Sequence, residues 1–230
     1  DNVYKATFGF FHPYKKTKRV MIYHHGYASD YDTQKAHFKT LLRAGFAVIA
    51  HNLTGYGDSA PFQSWSEAKR PLRAFFEPVV ASINYAMDKF GYEDINMMGL
   101  SAGGWMTAVA AAMDKRIKRS YPVAGVLPIY LRREKETASP QYYEPMLKAA
   151  GYLDMFILGS WGEGRKQLQI FNRYDRCCFA NSRGKLYEAA VAEAVGKLGS
   201  GAFGVMIDES HARHKLSALG MKAILADVNK

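Results

Sequence analysis

Short apolar strands alternate with amphipathic helices along most of this chain. Such alternation is typical of an α/β fold, in which helices flank a mostly parallel central sheet. The predicted strands comprise residues 3–11, 19–23, 46–50, 95–98, 119–123, 167–171 and 203–207. The predicted helices comprise residues 32–44, 66–90, 102–113, 187–198 and 216–225. The length of 230 residues suits a single domain over residues 1–230 better than two domains.

The longest predicted helix, residues 66–90, carries one apolar stripe. Its apolar side chains recur every three or four positions, as on the buried face of a helix. Pro71 and Pro78 fall inside this segment, and a proline within a helix removes a backbone hydrogen bond. The prolines are therefore positions where the predicted helix can break or kink.

Residues 126–165 do not follow the alternation. They are rich in Tyr, Arg, Pro and Gly, and only a short stretch near residues 143–150 has a helical pattern. We interpret this segment as an insertion that covers the sheet like a small cap.

The chain is basic, with 31 Lys and Arg against 21 Asp and Glu, a net charge of +10. Such a surface can attract nucleic acid, anionic lipid or an acidic polymer. The basic clusters at 15–19 and 115–119 match no nucleic-acid-binding motif, so no nucleic-acid partner is predicted.

No apolar run approaches the roughly 20 residues that a membrane span needs. We favour a cytoplasmic location, with secretion as the alternative if a leader before Asp1 has been removed.

Cys177 and Cys178 are the only cysteines, and they are adjacent. Adjacent cysteines are poorly placed for an ordinary disulfide, given the usual Cα separation. Two adjacent cysteines also do not make a zinc site. We expect buried, inert thiols, and we predict no metal and no cofactor.

A G-x-S-x-G motif at residues 99–103 lies between a predicted strand and a predicted helix. In that context a sharp turn pushes the hydroxyl of Ser101 out of the sheet edge. Glycines are needed on both sides because side chains there would collide with the neighbouring strand and helix. The helix amino terminus behind the serine offers free N–H groups and a partial positive charge, which suit an oxyanion. These features predict Ser101 as a nucleophile.

A serine nucleophile needs a base, and we expect a histidine in the loop after the last strand. That loop lies at the same sheet edge as the serine turn. Two histidines are available there, and we favour His211 over His214. His211 is nearer the strand end, whereas His214 is expected to begin the closing helix.

The carboxylate that orients the histidine is expected after the preceding strand. Asp175 follows that strand and can accept the second N–H of the histidine, fix its tautomer and stabilise the imidazolium. Asp154 and Asp208 are the alternatives.

The order Ser101, Asp175, His211 resembles the catalytic triad of the α/β-hydrolase family. The tripeptide His25-Gly26-Tyr27 and residues 52–59, Asn-Leu-Thr-Gly-Tyr-Gly-Asp-Ser, extend the resemblance over nearly the whole chain. In the family, the second of these segments usually begins with an acidic residue rather than asparagine. The resemblance implies the α/β-hydrolase fold with a nucleophile elbow.

The resemblance also implies an oxyanion hole formed by the backbone N–H groups of Tyr27 and Ala102. The activity it implies is hydrolysis of a carboxylic ester through an acyl-enzyme on Ser101, without a cofactor. A peptidase, an amidase or an acyltransferase would use the same triad, and these alternatives stay open. A non-catalytic binding protein of the same fold is a further alternative, which the complete triad disfavours.

The substrate is expected to bind between the sheet edge and the insertion. The insertion supplies Tyr130, Tyr142, Tyr143 and Trp161, and Trp65 adds a wall from the loop after the second central strand. Aromatic rings suit an acyl chain, an aromatic ester or a sugar face, but they are equally consistent with a hydrophobic core of the insertion. The predicted partner is a small-molecule or polymer-borne ester, and the oligomeric state is left open.

Overall fold

Seven strands form one sheet in the computed structural model, which describes residues 6–27, 30–59, 70–133 and 139–230. The strand order is β1-β3-β2-β4-β5-β6-β7. β1 pairs antiparallel with β3, and all other neighbours pair in parallel, which confirms the predicted mostly parallel α/β sheet. The strands are β1 (Phe8–Phe11), β2 (Arg19–His24), β3 (Ala47–His51), β4 (Asp94–Leu100), β5 (Ile117–Val123), β6 (Lys166–Asn172) and β7 (Ala202–Asp208).

Helices flank this sheet. They are α1 (Lys35–Arg43), α2 (Pro71–Phe90), α3 (Ala102–Met113), α4 (Glu144–Ala149), α5 (Tyr152–Ser160), α6 (Lys185–Lys197) and α7 (Ala218–Val228). In sequence order α2, α3, α5 and α6 form a row in which each helix packs against the next. Within the described residues, no helix is both long enough and apolar enough to cross a membrane. That the whole chain is one domain stays a prediction.

β4 and α3 form the centre of the molecule. β4 pairs with β2 on one side and β5 on the other, and it is buried from Ile95 to Leu100. α3 consists mostly of Ala and Gly, so its backbone can lie close to the sheet. Its largest side chain, Trp105, is 1% exposed and packs edge-on against Phe76, with ring centroids 5.3 Å apart. The turn between β4 and α3 is therefore held by two buried elements.

Pro78 lies inside α2 without ending it. A proline has no N–H to offer the carbonyl four residues earlier, which is that of Ala74. The hydroxyl of Thr54 donates to that carbonyl at 2.8 Å. The helix therefore continues to Phe90 because a side chain from the loop after β3 replaces the missing backbone donor. Pro71 is the first helical residue, a position that tolerates proline.

The segment predicted as an insertion contains more regular structure than expected. Ile129–Leu131 and Ser139–Tyr142 are 3₁₀ turns, and α4 and α5 follow. α5 packs against α3, α6 and the sheet, as the crossover helix between two parallel strands does. Within residues 126–165, it is therefore the part before α5 that can cover the sheet edge as a cap.

Arg165, at the end of the predicted insertion, is buried and serves the fold. Its guanidinium donates to the carbonyls of Ile117 at 3.1 Å, Leu158 at 2.7 Å and Trp161 at 2.8 Å, and also to that of Ala111. Burial lowers the pKa of Arg165, but all these acceptors compensate the charge. The side chain thus joins the ends of α3 and α5 to the start of β5.

Candidate active site

The turn between β4 and α3 places Ser101 in a strained conformation. Its φ is 59° and its ψ is −126°, outside the regions that non-glycine residues favour. Such a backbone costs on the order of 1–3 kcal/mol and persists only where the surroundings hold it. The Ser101 N–H donates to Val123 O at 2.9 Å, and the Ser101 carbonyl accepts from Gly104 N at 2.8 Å. The half-buried serine thus stands at the carboxyl end of the central strand.

Three glycines allow the backbone to pack tightly around this turn. A Cβ at Gly99 would lie 2.2 Å from Gly103 O, and one at Gly103 would lie 1.9 Å from His24 O. A Cβ at Gly125 would lie 1.8 Å from Ser101 O. Side chains at these positions would collide with backbone atoms, which is the physical reason for the glycines of the G-x-S-x-G motif.

The loop after β2 lies directly against the serine turn. A Cβ at Gly26 would lie 2.8 Å from the Cβ of Ser101 and 3.3 Å from the nitrogen of Ala102. Ala102 is the first residue of α3, so its N–H has no acceptor within the helix. Tyr27 follows Gly26, and its 40% exposed ring packs edge-on against Tyr56, with ring centroids 5.6 Å apart. Tyr27 and Ala102 thus flank the contact between Gly26 and Ser101.

Buried histidines brace this loop. His24 Nδ1 contacts the carbonyl of His25 at 2.9 Å, and His25 Nδ1 contacts the hydroxyl of Tyr23 at 2.8 Å. His51 Nε2 contacts Ser82 Oγ at 2.9 Å, and its ring stacks on that of His24. Burial lowers the pKa of His24 to about 4 and that of His51 to about 3. Both rings are therefore neutral at physiological pH.

Asp175 and His214 form the dyad at this edge of the sheet. His214 Nδ1 lies 2.6 Å from Asp175 Oδ2, which leaves Nε2 free to accept a proton. Asp175 also accepts from the Cys177 N–H at 2.8 Å and from the Asn172 amide at 3.4 Å. Burial alone would raise the pKa of Asp175, but these hydrogen bonds, that of His214 first, outweigh it and lower the pKa. The carboxylate is held ionised beside the imidazole.

His211, the histidine favoured from the sequence, pairs with a different carboxylate. Its Nδ1 accepts from the Arg213 N–H at 3.1 Å, so the ring proton is on Nε2, which lies 3.5 Å from Asp208 Oδ2. Nδ1 is thus occupied by a hydrogen bond, and Nε2 is buried on the side of the ring that faces Asp208. The pairing with Asp175 that the sequence predicted for His211 is made by His214 instead.

The two alternative carboxylates have structural roles. Asp208 is completely buried and accepts from the Ser210 N–H at 2.9 Å and from the Ser217 hydroxyl. Burial would raise the pKa of Asp208, but these hydrogen bonds lower it. Asp154 accepts from the Gly151 N–H at 2.9 Å at the start of α5. The carboxylate of Asp208 therefore organises the loop between β7 and α7, and that of Asp154 caps a helix.

Comparison with known proteins identifies the fold of this chain. A family model described as the α/β hydrolase fold matches residues 19–130, which include the loop after β2 and the serine turn. The structure of Est1E from Butyrivibrio proteoclasticus, solved with ferulic acid bound, is similar with a TM-score of 0.67 and 16% identity. The similarity covers 98% of this chain and 93% of that protein. The chain has the α/β-hydrolase fold.

Two further solved structures are similar at comparable TM-scores. An esterase from Pyrococcus furiosus has a TM-score of 0.66 and 13% identity, over 98% of this chain and 92% of that one. Acetyl xylan esterase 1 from Thermoanaerobacterium sp. JW/SL YS485 has a TM-score of 0.66 and 14% identity, over 97% of this chain and 78% of that one. No curated sequence shows significant similarity. The resemblance and the fold predicted from the sequence are confirmed.

The two cysteines of this chain differ from the prediction. Cys177 and Cys178 form a disulfide, Cys177 is exposed and Cys178 is half-buried, so they are not inert buried thiols. The usual range of Cα separations does not apply to a disulfide between consecutive residues, whose sulfurs close a small ring. The ligand atoms of these cysteines and of His214 lie within 4.8 Å of one another, but bridged sulfurs are not the thiolates that bind metals.

The predicted insertion places three of the predicted aromatic side chains in different surroundings. Tyr130 is 71% exposed, and Tyr143 is half-buried against the hydrophobic core. Tyr142 lies beneath the guanidinium of Arg132, 5.4 Å from the ring centroid. All three follow the carboxyl end of β5, where the serine turn also lies. Their part in substrate binding stays a prediction.

Trp161 does not line the candidate active site. Trp161 follows α5 and precedes the start of β6, so it lies at the edge of the sheet opposite Ser101. Its indole donates to Leu198 O at 3.3 Å, and its backbone bridges to Gly201. This position does not fit the predicted role of Trp161 in substrate binding. Trp65 lies outside the described residues.

Proposed function

We propose that this protein is a serine-dependent hydrolase of carboxylic esters, with Ser101 as nucleophile, His214 as base and Asp175 as orienting carboxylate. The observation that carries the proposal is the hydrogen bond of 2.6 Å between Asp175 and His214. These two residues lie in the loops after β6 and β7, at the sheet edge where the strained Ser101 follows β4. The chain order Ser, Asp, His agrees with that of the family.

In the proposed mechanism, Ser101 Oγ attacks the ester carbonyl while His214 Nε2 takes the hydroxyl proton. Asp175 accepts the Nδ1–H, which keeps the productive tautomer and stabilises the imidazolium. His214 then gives the proton to the departing alkoxide, and an acyl-enzyme forms on Ser101. Water then attacks the acyl carbonyl while His214 takes its proton, and His214 returns that proton to Ser101 Oγ as the acyl bond breaks and the carboxylic acid leaves.

The backbone N–H groups of Tyr27 and Ala102 are the proposed oxyanion hole. The contact between Gly26 and the serine turn supports this assignment, because Tyr27 follows Gly26 and Ala102 follows Ser101 in the chain. Each such donor contributes on the order of 3–4 kcal/mol to stabilising the transition state. The proposed roles require no metal and no cofactor.

The substrate class we propose is a small-molecule or polymer-borne ester. The support comes from the names of the similar structures, which include an esterase with ferulic acid bound and an acetyl xylan esterase. Tyr130, Tyr142 and Tyr143 are proposed to face the acyl or alcohol part from the cover before α5. A peptidase, an amidase or an acyltransferase would share the triad and differ only in the leaving group or acceptor.

Labelling with a fluorophosphonate tests the nucleophile. Peptide mass spectrometry is expected to find the adduct on Ser101, and His214→Ala is expected to lose it. His211→Ala is the matched control, because that ring lies in the same loop but faces Asp208. If the labelled wild-type protein cleaves short, long or aromatic esters, the result supports an esterase. If it prefers amide substrates, the result supports the peptidase alternative. Folded protein that is not labelled would favour the non-catalytic reading.

A further inference from the structure

The disulfide between Cys177 and Cys178 contacts the proposed catalytic base. Cys178 Sγ lies 3.9 Å from His214 Nε2 and 4.0 Å from His214 Nδ1. The backbone N–H of Cys177 donates to Asp175 Oδ1 at 2.8 Å. The bridged pair therefore touches both members of the dyad, although the mechanism uses neither sulfur.

Cys177 is exposed, and it follows Asp175 by two residues. An exposed disulfide is open to attack by a thiolate of a reductant. A disulfide between adjacent residues closes no loop of chain, so it restricts the unfolded chain little and adds little to the free energy of unfolding. Stabilising the fold is therefore a poor explanation for the disulfide, whereas its contact with His214 lets it act directly on the candidate active site.

We propose that Cys177 and Cys178 are a redox-modification site that switches the proposed esterase off when the bridge is reduced. The inference rests on the proposed function, because it takes His214 as the base. In the oxidised form the sulfurs carry no acidic proton and no charge, so His214 keeps Asp175 as its charged partner. In the reduced form Cys178 presents a thiol to the same imidazole.

The chemistry balances with a dithiol as reductant. A thiolate of the reductant attacks one sulfur, the Cys177–Cys178 bond breaks, and a mixed disulfide forms. The second thiol of the reductant resolves it, which leaves two protein thiols and an oxidised, cyclic reductant. Two electrons and two protons pass from the dithiol to the protein.

The thiol of Cys178 can then pass its proton to His214. Thiolate and imidazolium stabilise each other at contact distance, as in cysteine–histidine pairs. Asp175 on the other side of the ring also stabilises the imidazolium, whereas His25, when protonated, opposes it. An imidazolium cannot take the proton of Ser101. Reduction therefore removes the base and moves the acid limit of activity to higher pH.

The first test compares the oxidised and the reduced wild-type protein. Intact mass and thiol alkylation establish the state of the bridge, and ester hydrolysis is measured from acid to neutral pH. Reduction with dithiothreitol is expected to lower kcat/KM at neutral pH by about tenfold or more. Reoxidation with oxidised glutathione is expected to restore it. Equal activity and equal pH profiles in two verified states would overturn the proposal.

Two variants distinguish the thiol from the loss of the bridge. Cys177→Ala leaves a permanent thiol beside His214, and Cys178→Ala removes it, while neither can form the bridge. Under reductant, Cys177→Ala is expected to have the low activity of the reduced wild type, and Cys178→Ala is expected to be several-fold more active. Equal loss in both variants would mean that the bridge only orders the loop, and the thiol mechanism would be wrong.

Fluorophosphonate labelling separates this proposal from the proposed function. Absence of labelling in both redox states would refute the serine mechanism itself. Labelling of the oxidised form that is much slower in the reduced form supports both proposals. Labelling at the same rate in both states would refute only the redox switch, since the rate reports the activation of Ser101 by its base.

Discussion

Asp175 and His214 share a hydrogen bond of 2.6 Å although 39 residues separate them in the sequence. Asp175 follows β6 and His214 follows β7, and these strands pair in parallel from Lys166–Ala202 to Asn172–Asp208. Parallel pairing brings the carboxyl ends of the two strands together, so both loops leave the sheet at the same edge. The predictions below follow from this dyad and from the packing around it.

His214→Ala is expected to lower kcat by at least about a thousandfold, since removal of a general base abolishes proton transfer from Ser101. His211→Ala is expected to lower kcat less than about tenfold, because its ring nitrogens face Arg213 and Asp208. Steady-state kinetics on one ester compares the two variants. The reverse order of effects would restore His211 as the base.

Asp175→Asn is expected to reduce kcat by about four orders of magnitude, because an amide favours the wrong tautomer of the histidine. The neighbouring hydrogen bonds from Asn172 and Cys177 are expected to keep the loop in place. Circular dichroism and a crystal structure check the fold, and kinetics check the activity. A variant with wild-type kcat would exclude Asp175 from the mechanism.

Ser101→Gly is expected to raise the free energy of unfolding by about 1 kcal/mol, because glycine adopts the positive φ without strain. Ser101→Ala keeps a Cβ and is expected to leave the free energy of unfolding nearly unchanged. Both variants are expected to lose turnover. Urea denaturation of the three proteins gives the comparison, and a Ser101→Gly variant less stable than Ser101→Ala would contradict the strain.

Acid is expected to destabilise the fold through His24 and His51. Their folded pKa values of about 4 and about 3 lie below the unfolded value of about 6.5, so below pH 6.5 the unfolded chain binds more protons. The stability is complete above pH 6.5 and falls as the pH falls towards the folded values. Between about pH 7 and pH 5 each histidine is expected to cost about 2 kcal/mol.

His51→Gln tests this linkage, because glutamine keeps a donor toward Ser82 and does not titrate. The difference in unfolding free energy between pH 7 and pH 5 is expected to shrink by about 2 kcal/mol. His12→Gln, at an exposed position, is the control and is expected to leave that difference unchanged. An unaltered difference in His51→Gln would mean that its ring is not kept neutral by burial.

Thr54→Val is expected to lower the free energy of unfolding by about 1–2 kcal/mol, because the Ala74 carbonyl in α2 loses its donor. Thr40→Val is the matched control. The Thr40 hydroxyl donates to Ala36 O, a carbonyl that can also accept from the N–H of Thr40 within α1. Chemical denaturation measures both, and equal losses would show that the Thr54 bond has no special role.

Local patterns in the sequence were enough for most of the architecture and for the position of the proposed nucleophile. Apolar periodicity predicted six strands and two helices within two residues of their observed bounds. The glycines around Ser101 indicated a backbone too crowded for side chains. Asp175 was predicted because it follows a strand, and the carboxyl ends of the parallel strands lie at one edge of the sheet. Each of these inferences depends on neighbours in sequence or on one topological rule.

The choice between His211 and His214 depended on the path of the loop after β7. The loop turns on the buried Asp208 carboxylate, which binds Ser210 and Ser217 and faces His211. Those contacts occupy the histidine nearest the strand and leave His214 to reach Asp175. A serine two residues after a strand-end aspartate is a sequence signal for such a turn, and it could have favoured His214.

The sequence by itself determined the α/β class, the strained turn at Ser101 and the strand ends that carry the loops of the site, because periodicity and turn chemistry act over a few residues. Only the tertiary structure decided which histidine meets Asp175, how α2 continues past Pro78, and that the Cys177–Cys178 bridge lies against His214. Each of these depends on side chains from distant segments, whose meeting is set by packing and hydrogen bonding rather than by local pattern.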